Sequence, residues 1–100
     1  MSQFDDIQDM PRLRARIDAL DAQLMDLMAD RHALIDRAAA IKAGIGLPAR
    51  IPDRVEEVVA NIRRHARDRG LDPDLYDALW RMLIEAAIAQ EERLLNKDLP

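Results

Sequence analysis

The sequence predicts an all-α chain of three helices, the first of them very long. Three observations carry that reading. No stretch alternates apolar and polar residues as a half-buried strand would. From Pro11 to Lys42 or Ala43 neither glycine nor proline interrupts the chain, roughly 32 residues, or about 48 Å of helix. Within that run Leu13, Ile17, Leu20, Leu24, Leu27, Arg31, Leu34, Ala38 and Ile41 recur at alternating spacings of four and three, an unbroken heptad seam.

The elements follow in order. Pro11 suits the first turn of a helix, where its missing N–H has no intrahelical partner to lose. Gly44, Gly46, Pro48 and Pro52 form a connector. Asp53 followed by Glu56 reads as a capping box opening the second helix, whose apolar face is Val55, Val58, Val59, Ile62 and Ala66. Gly70 stops it. Asp72 and Pro73 supply the cap and first turn of the third helix, which carries Leu75, Leu79, Met82, Leu83, Ile84, Ala87 and Ile88 and runs to about Asn96. Trp80, Met25 and Met28 are read as ordinary core. Residues 1–100 read as one domain, with 1–9 a loosely ordered lead-in.

Composition narrows the function. A chain of 100 residues, 49% hydrophobic and 34% charged, has room for one domain. Such a domain has a radius of gyration of roughly 13 Å, too small for the first helix, so the seam needs a second copy of the chain in a two-fold dimer. There is no cysteine, which excludes disulfides, cysteine zinc sites and thiol catalysis. The net charge of -4 is a poor match to nucleic acid, and Arg63, Arg64, Arg67 and Arg69, interleaved with Asp68, read as a solvated face. No apolar run approaches the roughly 18 residues of a membrane span. The opening residues are acidic where a secretion signal is basic and then apolar, which points to the cytoplasm. His32 and His65 have no metal-ligand spacing and read as surface or packing residues, so neither metal nor cofactor is expected.

Two residues break the apolar pattern. Arg31 occupies a seam position, where an unpaired buried guanidinium is costly. Either it pairs with a carboxylate such as Asp30 or Glu85, or it marks an internal anion site. Lys42 lies eleven residues on, about 20° round the helix and roughly 16 Å along it, so both side chains can reach one pocket from one stripe. Arg14 lies seventeen residues before Arg31, about 100° round and roughly 25 Å away, and can serve such a pocket only in a partner chain. Glu91 continues the Ile84–Ala87–Ile88 stripe of the third helix. Either that helix is ending and Glu91 is solvated, or its carboxyl faces a cationic pocket, paired to Lys42 or held protonated as a donor. Three cations in such a pocket suit a small dianionic ligand.

These residues carry a resemblance. LRARIDALDAQLMDLMADR, with Lys42 eleven residues after Arg31, and GLDPDLYDALWRMLIEAAIAQE in the third helix are similar to the helical chorismate mutases over roughly residues 10 to 95. The resemblance implies an intertwined homodimer of three-helix chains that rearranges chorismate to prephenate without a cofactor. Residue by residue, Arg14 resembles the arginine that reaches a substrate carboxylate from the partner subunit. Arg31 resembles the arginine on the other carboxylate or the ether bridge, Lys42 the lysine donating to the ether oxygen, and Arg54 the additional arginine near the ring carboxylate. Glu91 falls where many members have glutamine. It can donate there only when protonated, which implies activity that falls as pH rises.

The sequence departs from the family at three positions. Ile51 and Val55 stand where the usual mutases carry acidic residues, the latter gripping the ring hydroxyl, and Ala87 stands in place of a serine. The isochorismate pyruvate lyases and the 4-amino-4-deoxychorismate mutases look similar around Arg54 and Val55, so their substrates remain alternatives. A helical dimerisation module without a ligand is the non-enzymatic alternative.

Overall fold

The computed structural model describes residues 2–96. Three helices follow one another, α1 (Met10–Ile45), α2 (Pro52–Asp68) and α3 (Pro73–Leu95), and among the described residues there is no strand. The chain divides into two compact units, Met1–Ala33 and Leu34–Pro100, with α1 contributing to both.

In the first unit Ser2–Asp6 make a turn in which the Asp5 N–H donates to the Ser2 carbonyl at 3.2 Å. The Arg16 guanidinium lies over the Phe4 ring, 5.2 Å from its centroid, a cation–π contact. Asp9 caps α1, its carboxylate accepting from the Arg12 N–H at 2.9 Å. Ile17, Leu20, Leu24 and Leu27 are all exposed in this chain, Leu27 to 63%. Met25, expected in the core, is 66% exposed instead. A unit made of one helix and a turn has no second apolar face to set against that side chain.

In the second unit α1 ends at Ile45, two or three residues later than expected. Gly44 is helical, and the stop is Gly46, whose φ of 75° lets the Leu47 N–H turn back to the Lys42 carbonyl at 3.0 Å. α2 closes the same way. Gly70 has φ 71°, its N–H bonds the Arg67 carbonyl and the Leu71 N–H bonds the Ala66 carbonyl.

The start of α2 differs from the predicted capping box. Ile51 is the cap, extended at φ -122° and without a side-chain bond, and Pro52 opens the first turn. Proline fixes the helical φ there without needing a donor, so Asp53 sits inside the first turn, where its charge complements the helix dipole. Glu56 pairs with Arg81 instead. α3 starts as expected, with Asp72 accepting from the Asp74 N–H at 3.0 Å.

Ala49, Val59, Ile84 and Ile88 form the core of this unit, with Val55, Val58 and Leu95 packed against it. Burial of each large aliphatic there contributes roughly 2 kcal/mol. Leu75, Leu79 and Met82 of α3 remain exposed, and Trp80 is half-buried. Charged pairs latch α2 to α3. Arg63 bridges Asp74 and Asp77 at 2.8 and 3.0 Å, and Arg81 reaches Glu56 at 3.1 Å and Asp77 at 2.8 Å.

Hydrogen bonds from Arg81 hold the Glu56 and Asp77 carboxyls below the ordinary carboxylate range, and Arg50 does the same to Glu85. A carboxyl whose folded pKa is depressed binds fewer protons folded than unfolded, so it adds stability above its unfolded value and loses it as pH falls through the folded one. The thermal midpoint is therefore expected to hold from neutral pH to about 5 and to drop below about 4. In Glu56→Gln/Asp77→Asn/Glu85→Gln protein the drop should be shallower, read by circular dichroism. An equally steep drop would contradict the assignment.

Candidate functional site

The second unit sets a part-buried cation beside a buried carboxyl. Lys42 stands in the last turn of α1, where a positive charge suits the helix dipole. Its ammonium donates to the Ala49 carbonyl at 2.8 Å and lies 2.9 Å from Glu91 Oε1. The two side chains are only 18% and 6% exposed. Glu91 is buried because it continues the α3 stripe of Ile84, Ala87 and Ile88, so the solvated-end alternative falls away. The 2.9 Å contact is one of charge more than direction, since Oε1 has no hydrogen-bond donor among the described residues. Either ion buried alone would be costly, and the pair neutralises both.

Polar groups surround this pair. Gln90, buried one residue before Glu91, donates to Asp36 on α1 at 2.6 Å. Arg50 grips Glu85 with both guanidinium nitrogens, at 2.8 and 2.6 Å. An open cleft of about 660 Å³ runs beside Lys42, between Pro48, Ala49 and Arg50 on one side and Glu92 and Asn96 on the other.

The other expected site residues are distributed as follows. Arg54 is in the first turn of α2, exposed and paired with Glu57 one turn on. Val55 packs against the apolar core, and Ala87 is buried on α3. Arg14 is exposed and Arg31 half-buried on the α1 segment of the first unit. Glu85, one carboxylate considered for Arg31, is taken by Arg50. Among the described residues Arg31, half-buried, forms no ion pair.

Sequence reasoning missed Ala49, Asp36, Gln90 and Arg50. Ala49 acts through its carbonyl, which leaves no trace in residue type. Gln90 had a signal, since it follows Ala87 by three residues on the buried stripe. Asp36 had none, its partner being 54 residues away.

The second unit thus sets an ammonium, a buried carboxyl and an open cleft side by side. Residues 13–92 match the chorismate mutase type II family, and the chain belongs to it. It is 26% identical over 91 residues to a chorismate mutase of Methanocaldococcus jannaschii, covering 91% of this chain and 92% of that one. It is 33% identical over 90 residues to a 4-amino-4-deoxychorismate mutase of Streptomyces venezuelae, covering 90% and 87%. With a T-protein of Enterobacter agglomerans it shares 32% identity over 88 residues, 87% of this chain but only 24% of that protein's length.

Lys42→Met leaves Glu91 buried without its counter-charge and is expected to lower the unfolding free energy by about 3 kcal/mol. Adding Glu91→Met should restore most of that loss. Urea unfolding of the single and double variants measures the difference, and equal losses would mean the two charges are not coupled.

Proposed function

We propose that this chain is a cytoplasmic chorismate mutase that rearranges chorismate to prephenate as a homodimer, each site completed by Arg14 of the second copy. The observation that carries the reading is the part-buried Lys42–Glu91 pair between the end of α1 and α3, within a chain that matches the family over residues 13–92. The exposed seam of α1, Leu34 at 68%, supports the dimer, because a soluble chain does not leave so regular an apolar stripe in water without a partner.

The reaction is intramolecular, an ether C–O bond breaking as a C–C bond forms, and it needs placement and charge rather than a nucleophile. Arg14 and Arg31 fork onto the two carboxylates and hold the diaxial conformer, which removes the entropy of finding it. Arg54 supports the ring carboxylate. Lys42 points its charge at the ether oxygen, where negative charge grows in the transition state. Ammonium groups carry three donors, and Ala49 takes one of them. Glu91, paired with the ammonium, fixes where that charge stands. Ala87 and Val55 line the site as apolar walls.

A second reading keeps the site and changes the substrate. Val55 packs on the core and offers no carboxylate for a ring hydroxyl, and one relative of similar length is a 4-amino-4-deoxychorismate mutase. Isochorismate, cleaved to salicylate and pyruvate, is the third dianion to test.

Separate incubations with the three compounds, followed by product identification, are expected to give prephenate from chorismate. Turnover of none would return the chain to a dimerisation module, as would an Arg31→Met protein that is more stable with nothing to lose. Lys42→Ala should lower kcat by about 10²- to 10³-fold. Mixing inactive Arg14→Ala and Lys42→Ala chains should restore about a quarter of the parent activity, because half the dimers are mixed and each rebuilds one site. A mixture that stays dead would rule out the shared site.

A further inference from the structure

We infer that Asp36 and Gln90 are positioning residues, a polar clamp that sets the depth at which α3 presents Glu91 to Lys42. The inference rests on the assignment of Lys42 and Glu91 to the chemistry and adds a pair outside it. Asp36 lies six residues before Lys42 on α1, and Gln90 directly precedes Glu91 on α3. Their bond joins residues 54 apart in sequence at 2.6 Å, a short charge-assisted contact from the amide Nε2 to the carboxylate Oδ1. Gln90 is 8% exposed, so its amide is committed to protein partners rather than to water.

Geometry explains why a clamp is useful here. Asp36, Ala39 and Lys42 follow at three-residue steps, each about 60° round α1 from the one before, and Ala39 between them is almost fully buried. A methyl group fixes separation but not rotation or sliding, because apolar contact has no preferred direction. A hydrogen bond has one, and weakens steeply when its angle is lost. Gln90 is held at its place on α1 by direction, and Glu91, next on the same rigid helix, is placed with it. The Lys42–Glu91 contact cannot do this for itself, since Oε1 has no directed donor among the described residues.

The test compares Asp36→Ala, Asp36→Asn and Gln90→Met in the full chain. Asparagine keeps an oxygen that accepts from Gln90, alanine removes it, and methionine fills the volume of Gln90 without its amide. A displacement near 1 Å at the reacting centre costs on the order of 10²-fold, so Asp36→Ala and Gln90→Met are expected to lose about 10- to 100-fold in kcat with KM little changed. Asp36→Asn should stay within about threefold of the parent. A second readout needs no substrate. The ¹³C signal of the Glu91 carboxyl at fixed pH should move in Asp36→Ala and Gln90→Met toward its position in Lys42→Met protein, and stay put in Asp36→Asn. An unmoved signal in Asp36→Ala, or an Asp36→Asn as impaired as Asp36→Ala, would overturn the clamp. If the parent turns over none of the three substrates, the catalytic reading fails, while the carboxyl signal still decides whether the clamp exists.

Discussion

An ammonium taken out of water must be met by acceptors, and the second unit is arranged around that requirement. Lys42 finds them in two places, the main chain of the connector at Ala49 and the carboxyl of Glu91 on α3. One residue of α1 thereby ties together the turn that follows its own helix and the last turns of another. The αL glycine at position 46 is what brings the connector back toward the lysine. Burial of the pair is affordable because the charges cancel, yet two opposite charges in low dielectric remain responsive to any third charge brought beside them. That responsiveness is what a site for a charged ligand needs.

The apolar inventory of α1 exceeds what one chain covers, and the surplus is regular. Seam residues from Ile17 to Ile41 stay in contact with solvent in the isolated chain, and Arg31 sits among them half-buried, with no ion pair among the described residues. In the proposed dimer one event satisfies both debts of solvation, the second helix covering the stripe and the ligand's carboxylates meeting the arginine. Charge elsewhere is handled locally. Arg63, Arg81, Arg50 and Arg54 all have carboxylates within reach.

The three helices were legible because their signals are local. A run without breakers, the glycines at 46 and 70, and the Asp72–Pro73 start each act within a turn of where they stand. The capping box failed for the same reason it was plausible, since Pro52 opens the helix one residue before Asp53 can cap it. Within the site, Lys42 and Glu91 were legible as polar residues on apolar stripes. Asp36 and Gln90 were not, because a directed bond between distant segments has no spacing rule, and Ala49 contributes an atom every residue possesses. Met25 looked like core because it is a large apolar residue within a helical run, and its exposure depends on which elements stand opposite it, a matter of tertiary arrangement.

The acceptor that Ala49 lends to Lys42 belongs to the backbone, and no side-chain replacement at that position removes it. What would remove it is a change in the number of residues. The segment from Gly46 to Ile51 is exposed for most of its length, the kind of stretch that ordinarily accepts an inserted or deleted residue at little cost. Here an indel would carry the carbonyl away from the ammonium while leaving all three helices intact. Among descendants of this chain the connector should therefore tolerate drift in spelling far better than drift in length.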